Sequence, residues 1–346
     1  MPARPAPKGS RKGPPAKLAH TGSVKSLYVE KPPTADSFGT GYFEFSDHYS
    51  VFDYGRMPDD IPSKGEALKR MSLHWFKALE AAGVQTHFLG DGGARRLRIR
   101  VSRKLPLSRI RPGAKNYMVP LEVIFRNKIP PASSLAKRLR AGEARPADYG
   151  LSRAPGETET VVLAEPVVEF STKLEEIDRY ISREEAREIG RLTSRQVAEV
   201  EETARAVNRL LTREMASRGL DHVDGKIELL IGPEGELRVG DTVGTSDENR
   251  ILYQGMDLSK QMARDYYRRE GWHDNLQAAR KMGLKDPRPP RMEREFLAIL
   301  DGAYRALAVA ITGERWPGAP GLDSVMEAYR DYLAQNKWIK KVAKIA

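Results

Sequence analysis

Apolar residues recur along this chain at two spacings, and the change from one to the other separates strands from helices. Leu121, Val123 and Phe125 alternate with Glu122, Ile124 and Arg126. A period of two, filled with β-branched and aromatic side chains, predicts a strand. It puts Glu122 and Arg126 on one face, about 13 Å apart at roughly 3.3 Å per residue. The stretch 93–104, GARRLRIRVSRK, alternates in the same way and predicts a strand with a basic solvent face. Residues 21–28 read as a glycine turn entering a strand, with 42–45 as its partner, and Thr86-His87-Phe88 begins another. Residues 222–231 and 236–241 flank a Gly232-Pro233-Glu234-Gly235 turn and predict a hairpin. In its first arm Asp224, Lys226 and Glu228 share one face, and Ile227, Leu229 and Ile231 the other.

The helical period takes over elsewhere. Leu68, Met71, Trp75 and Leu79 predict a helix over 66–82 with a buried stripe, ended by Gly83. Val197, Val200, Ala204, Val207, Leu211 and Met215 trace a longer one, capped by Thr193 or Ser194 and closed by Gly219. After the Pro130-Pro131 break, Ser133 or Ser134 caps a short helix through Leu139. Two more helices are expected at about 291–312 and 322–336, beyond the Pro-rich 286–290. The polar stretch 140–160 predicts a surface excursion. The basic tail from Asn336, with Trp338 and Ile339, docks either on the body or on a partner.

Composition narrows the classes. A chain of 346 residues, 40% hydrophobic and 30% charged, suits a globular protein with one large core or two to three subdomains. No apolar run approaches about 18 residues, so no membrane helix and no membrane partner are expected. The N-terminus lacks the apolar core of a signal peptide, which predicts a cytoplasmic location. The chain has no cysteine, which excludes disulfides, thiolate metal sites and a cysteine nucleophile. The six histidines show no ligand-like pairing, and His87 reads as structural. The net charge is +11, of which Arg4, Lys8, Arg11, Lys12 and Lys17 supply five in a Pro- and Ala-rich segment. Residues 1–19 therefore read as a disordered basic tail, with order beginning near His20. A basic balance suits either nucleic acid or a pocket for anionic metabolites. No zinc-finger spacing, aromatic-basic motif or repeat supports the first, so nucleic acid is the less favoured partner.

Two constellations carry chemistry. A serine at a helix N-terminus, with Arg126 before it and Arg138 after it, can hold a phosphate. The alternative is a capped helix with a solvated basic face. In the hairpin, Asp224, Lys226 and Glu228 in a row can ligate magnesium and meet phosphate oxygens, or form a charged edge.

Pro120, Leu121, Glu122, Arg126, Ser134 and Arg138 resemble the first signature of the SAICAR synthetases (phosphoribosylaminoimidazole-succinocarboxamide synthases). Ser133 stands where that family has glycine, and the spacer is two residues longer. Asp224, Lys226 and Glu228 match the second signature, Asp-x-Lys-aliphatic-Glu. Asp241 and Arg250 align with the acidic and basic ends of the following motif, with Thr242 in place of its glutamate. Lys25 matches the second lysine of an N-terminal Gly-Lys-x-Lys segment, with Ser23 in place of the first. Residues 47–53, DHYSVFD, with Ile61, Lys64, Gly65 and Ser72, continue the likeness. So do Pro166 to Lys173, and Lys260, Gln261, Arg264 and Asp265.

The resemblance implies an α+β, two-lobed fold with ATP in the cleft. It implies a basic tail over 1–19, an ATP-covering lobe over 20–118, a central lobe over 119–285 and C-terminal helices over 286–346. The implied activity is an ATP-dependent amide ligase of purine biosynthesis. It joins L-aspartate to the carboxylate of the imidazole ribotide CAIR and yields SAICAR, ADP and phosphate. By the same likeness Lys226 and Asp224 serve the chemistry. Lys25, Met118, Glu122 and Lys226 meet ATP, with adenine on the backbone of 117–119. Arg126, Ser134, Arg138, Lys173, Asp247, Arg250, Lys260 and Arg264 meet the substrate, and Glu228 and Asp241 bind Mg2+. A homo-oligomer is compatible with all of this. A paralogous ligase acting on another heterocyclic carboxylate is the nearest alternative, and a basic nucleic-acid-binding protein the more distant one.

Overall fold

The computed structural model describes residues 16–175 and 178–338. The predicted disorder of 1–15 and the role of the tail from Ile339 fall outside the described residues. The architecture is α+β, built on two antiparallel sheets.

The first sheet holds β1 (Lys17–Thr21), β2 (Lys25–Lys31), β3 (Gly39–Phe45), β4 (Phe88–Asp91) and β5 (Arg96–Val101), in the order β1-β2-β3-β5-β4. The glycine turn before β2 is closed by the Gly22 N–H donating to the Lys25 carbonyl (2.9 Å), which places Lys25 at the mouth of the sheet opposite Phe45. Residues 17–19 belong to β1, so order begins earlier than the charge and proline content suggested. The basic strand expected over 93–104 is confined to 96–101, because Gly93 takes a left-handed turn just before it.

The second sheet holds β6 (Tyr117–Ile129), β7 (Val161–Thr172), β8 (Tyr180–Ile181), β9 (Leu220–Ile231), β10 (Leu237–Gly240), β11 (Asn249–Tyr253) and β12 (Met256–Asp257). Its main path runs β12-β11-β9-β6-β7-β8, and β10 folds back on β9 as the predicted hairpin. The helices are α1 (Lys64–Ala81), α2 (Ser134–Ala141), α3 (Arg183–Gly190), α4 (Ser194–Ala216), α5 (Gln261–Arg269), α6 (Trp272–Lys281), α7 (Arg294–Thr312) and α8 (Leu322–Gln335). The alternation did not foretell α3 and α6, both short and highly polar.

Packing follows the periodicities. Leu121, Val123 and Phe125 of β6 and Ile227, Leu229 and Ile231 of β9 are buried in one core with Val197, Val200, Ala204, Val207 and Leu211 of α4. Each Val, Leu, Ile and Phe side chain among them contributes roughly 1.5–3 kcal/mol when fully buried. Of the two candidates Thr193 and Ser194, Thr193 caps α4, through a reciprocal box with Gln196. The 140–160 excursion carries a small core of its own, where Tyr149, Leu151 and Ala154 pack on Leu135, Leu139 and Leu163. Trp338 settles on the body, edge-on to Tyr266 and Tyr332, with its carbonyl accepting from Arg269 (2.9 Å). Among the described residues no helix is long and apolar enough to cross a membrane.

Candidate active site

Strand register builds the site. Glu122, Ile124 and Arg126 of β6 lie opposite Glu228, Lys226 and Asp224 of β9. Arg250 of β11 then lies opposite Asp224. Because side chains alternate across a sheet, this pairing brings both sequence constellations onto one face. The opposite face is the apolar one that α4 covers. Gly225 is required between Asp224 and Lys226. A Cβ there would sit 2.0 Å from Asn249 Oδ1 and 2.5 Å from the Phe125 ring.

Two cavities open on the charged face. The larger, about 450 Å³, lies between the sheets and is lined by Lys25, Met118, Lys173, Lys226, Glu228 and Asp241, among others. Its charges are paired. Lys25 Nζ lies 2.9 Å from Asp241, Lys173 Nζ 2.5 Å from Glu228, and Lys226 bonds Glu122 and lies 3.2 Å from Glu248. Burial opposes the charge on Lys25, but Asp241, then Glu248 and Glu228, raise it above its ordinary value. Burial, and then the charge of Asp241, push Glu228 up. Burial works the same way on Asp241, but Lys25 and Lys173 override it and hold that carboxyl low.

Asp241 is fixed by its backbone. It is a non-glycine residue at φ +55°, and its carbonyl accepts from His87 Nε2 (3.1 Å). Burial holds His87 down to about 4, so the ring is neutral and donates through Nε2–H. The structural role expected of His87 is thus to clamp a residue of the cleft.

The smaller cavity, about 260 Å³, is lined by Arg126, Ser134, Tyr180, Asp224, Arg250, Lys260 and Arg264, among others. Asp224 Oδ2 accepts from Arg126 (3.2 Å) and from Arg250 (2.7 Å), so it binds the two arginines together. Arg126 is 3% exposed and also donates to Glu169 (2.5 Å). Ser133 caps α2 by accepting from the Ala136 N–H, which leaves the Ser134 hydroxyl to the pocket. Lys226, Asp247, Glu248, Lys260 and Arg264 line both cavities and form the wall where they meet.

Most of the predicted residues are brought together, though not all in the expected way. Met118 reaches the larger cavity, but its N–H is taken by the Arg103 carbonyl (3.0 Å) and is not open to a base. Lys173 sits beside Glu228, on the side of Lys25 rather than of Arg126. Arg138 lines neither cavity; it donates to Glu169 (2.5 Å) and stacks on Tyr180 (3.6 Å). Asp247 spends its oxygens on buried Lys64 (2.8 Å) and the Tyr304 hydroxyl (2.7 Å). Burial opposes its ionisation, but Lys64, then Lys260, bring it down to about 2.

Sequence reasoning assigned no site role to Lys64, Glu169, Tyr180, Glu248 or Tyr304. Lys64 carried a signal: it falls one turn before Leu68 on the apolar stripe of α1, where a lysine demands a buried partner. Tyr180 had none.

Among the described residues no group of three or more histidines and carboxylates is set to hold a metal. Glu228, buried, and Asp241, half-buried, line the larger cavity instead, and magnesium needs only one or two protein carboxylates when phosphates complete its shell. Their mutual repulsion, relieved here by Lys25 and Lys173, fits a hard divalent cation.

Known proteins bear on this geometry. A sequence model of the family described as SAICAR synthetase matches residues 18–281. The phosphoribosylaminoimidazole-succinocarboxamide synthase of Thermoplasma volcanium is 37% identical over 310 residues, covering 87% of this chain and all of that protein. A SAICAR synthetase solved in complex with ADP is 25% identical, with a TM-score of 0.60 over 86% of this chain and 98% of that one. The SAICAR synthase of Saccharomyces cerevisiae, solved with SAICAR, shares the fold at a TM-score of 0.64 and 23% identity, covering 87% of this chain and 96% of that one. With the paired signatures on one face of the sheet and a match over most of its length, this chain belongs to the SAICAR synthetase family.

Proposed function

We propose that this chain joins L-aspartate to the carboxylate of CAIR at the expense of ATP, giving SAICAR, ADP and phosphate, in the cytoplasm. The observation that carries the reading is the shared wall. Two cavities of about 450 and 260 Å³ meet at Lys226, Asp247, Glu248, Lys260 and Arg264. A triphosphate in the larger and a ribotide in the smaller would present their anionic ends to one another there.

A carboxylate is a poor acyl donor, so the ligation needs two displacements. A CAIR carboxylate oxygen attacks the γ-phosphorus of ATP. The bond to the bridging oxygen breaks, ADP leaves, and an acyl phosphate remains. The aspartate amine then attacks the acyl carbon. The C–N bond forms, the C–O bond to phosphate breaks, and the amine gives up a proton to the departing phosphate. Such transfers depend on positioning and charge neutralisation rather than on a protein nucleophile, which agrees with a chain without cysteine.

In this reading Lys25 and Lys226 leave their carboxylate partners to meet phosphate oxygens, and Glu122 keeps Lys226 on the charged face. Lys260 and Arg264 balance the charge where the phosphoryl group is transferred. Asp224 positions Arg126 and Arg250, and Asp247 anchors the floor. Glu228 and Asp241 would hold magnesium, which supplies further charge neutralisation on the triphosphate.

The test is ADP release and SAICAR formation with CAIR, L-aspartate, ATP and magnesium, against Asp241→Asn. Sustained formation of both products should require all four components and be lost in the variant. ADP release independent of CAIR, or an intact rate in the variant, would end the proposal.

A further inference from the structure

Arg126 spends four of its five N–H donors on protein partners, and these commitments limit what a ligand in the smaller cavity can touch. Its Nε–H goes to Glu169 (2.5 Å) and an Nη1 proton to Asp224 (3.2 Å). Nη2 donates to Ser134 Oγ (3.2 Å) and to Tyr180 Oη (2.9 Å). Both protons of that nitrogen therefore end on hydroxyls. At 3% exposure, tied to two carboxylates, the guanidinium is not free to swing toward a ligand.

The hydroxyls are placed to act in its stead. Ser134 and Tyr180 stand 2.6 Å apart, so one hydroxyl proton lies between them and the other is left over. Ser133 takes the capping duty of α2, so Ser134 owes nothing to the helix. The Tyr180 ring is held by the Arg138 guanidinium over its face at 3.6 Å, and Glu169 fixes Arg138 in turn (2.5 Å). Both hydroxyls line the cavity, together with Arg250, Lys260 and Arg264. A hydroxyl that accepts from a guanidinium is polarised and becomes a better donor.

We propose that Tyr180 is a substrate-binding residue. Its hydroxyl, paired with Ser134, donates to the ribotide phosphate and transmits to it the charge of Arg126. The inference rests on the ligase reading for the identity of the ribotide, and on the hydrogen-bond geometry alone for the phosphate contact.

Tyr180→Phe removes one oxygen and keeps the ring under Arg138. In the full chain, calorimetry with ribose 5-phosphate and steady-state assays with CAIR and ATP should separate the cases. The ribose 5-phosphate Kd and the CAIR KM are expected to rise about tenfold, the cost of one good hydrogen bond, with the ATP KM and the unfolding midpoint unchanged. An unchanged Kd overturns the proposal. So does a matching rise in the ATP KM, a lowered midpoint, or no ribose 5-phosphate binding by the unaltered chain. Tyr180-dependent binding without turnover of CAIR would sink the ligase reading and leave the phosphate contact standing.

Discussion

Lys25, Lys173 and Lys226, around the larger cavity, all have carboxylate partners, whereas Lys260 and Arg264, where the two cavities join, have neither hydrogen bond nor ion pair from their side chains among the described residues. The first arrangement holds cations in place before a ligand arrives, and a polyanion must take them over from Asp241, Glu228 and Glu122. The second leaves cations without a contact partner, with Asp247 and Glu248 acting on Lys260 only at longer range. Burial pulls Lys260 down to about 8, with Arg264 working in the same direction against Asp247. Burial, then Arg250 and Arg268, lower Arg264 as well. A desolvated cation without a contact partner costs stability in the empty protein and would be relieved by an anion, so the proposed binding role falls on the junction and the ordering role on the paired lysines.

The contrast can be broken at its strongest point first. Asp241→Asn removes the partner of Lys25 and half of the carboxylate pair proposed to hold magnesium. Its rate of ADP formation should fall about a hundredfold or more. Stability separates the next case. Lys64→Met leaves Asp247 charged and buried without its ion pair, and should lower the unfolding free energy by about 3–5 kcal/mol in urea melts. Arg264→Gln should do the opposite of both. With no partner to lose, it should leave the melting midpoint unchanged or raise it, while the CAIR KM rises about ten- to a hundredfold. A destabilised Arg264→Gln would show that the junction is a structural cluster after all.

The smallest effect is a pH dependence. Lys260 titrates near 8 in the free protein, so the CAIR KM should be flat below that value and climb above it, as the lysine loses the charge that attracts phosphate. Stability should move the other way. Between about 8 and the ordinary lysine range, the unfolded chain keeps a proton that the folded chain has released, so folding gains as pH rises. Melting midpoints and CAIR titrations on either side of about 8 test both signs.

Much of the site could be read before the fold was known, because its residues sit in strands. A period of two sorts Glu122 and Arg126 from Leu121, Val123 and Phe125, and does the same for Asp224, Lys226 and Glu228. No periodicity says that the two rows are neighbours; only the β6–β9 register does. Loops and helix ends were less legible. Either Ser133 or Ser134 satisfied the capping rule, and the choice turned on which hydroxyl reaches the Ala136 N–H. Arg138 looked like a phosphate ligand from its place one turn along α2, but Glu169 of β7 draws it away. Tyr180 enters from a two-residue strand whose neighbours have no pattern.

By itself, then, the sequence determined which residues are buried, which faces are charged, and where strands and helices run, because those follow from local spacing and the cost of hiding polar groups from water. Which polar group meets which was decided only by tertiary structure. Asp247 with Lys64, Asp241 with His87 and Lys25, and Arg126 with Tyr180 are pairings across long stretches of chain. Hydrogen bonds form only near 3 Å and ion pairs weaken with separation in space, which sequence distance does not measure.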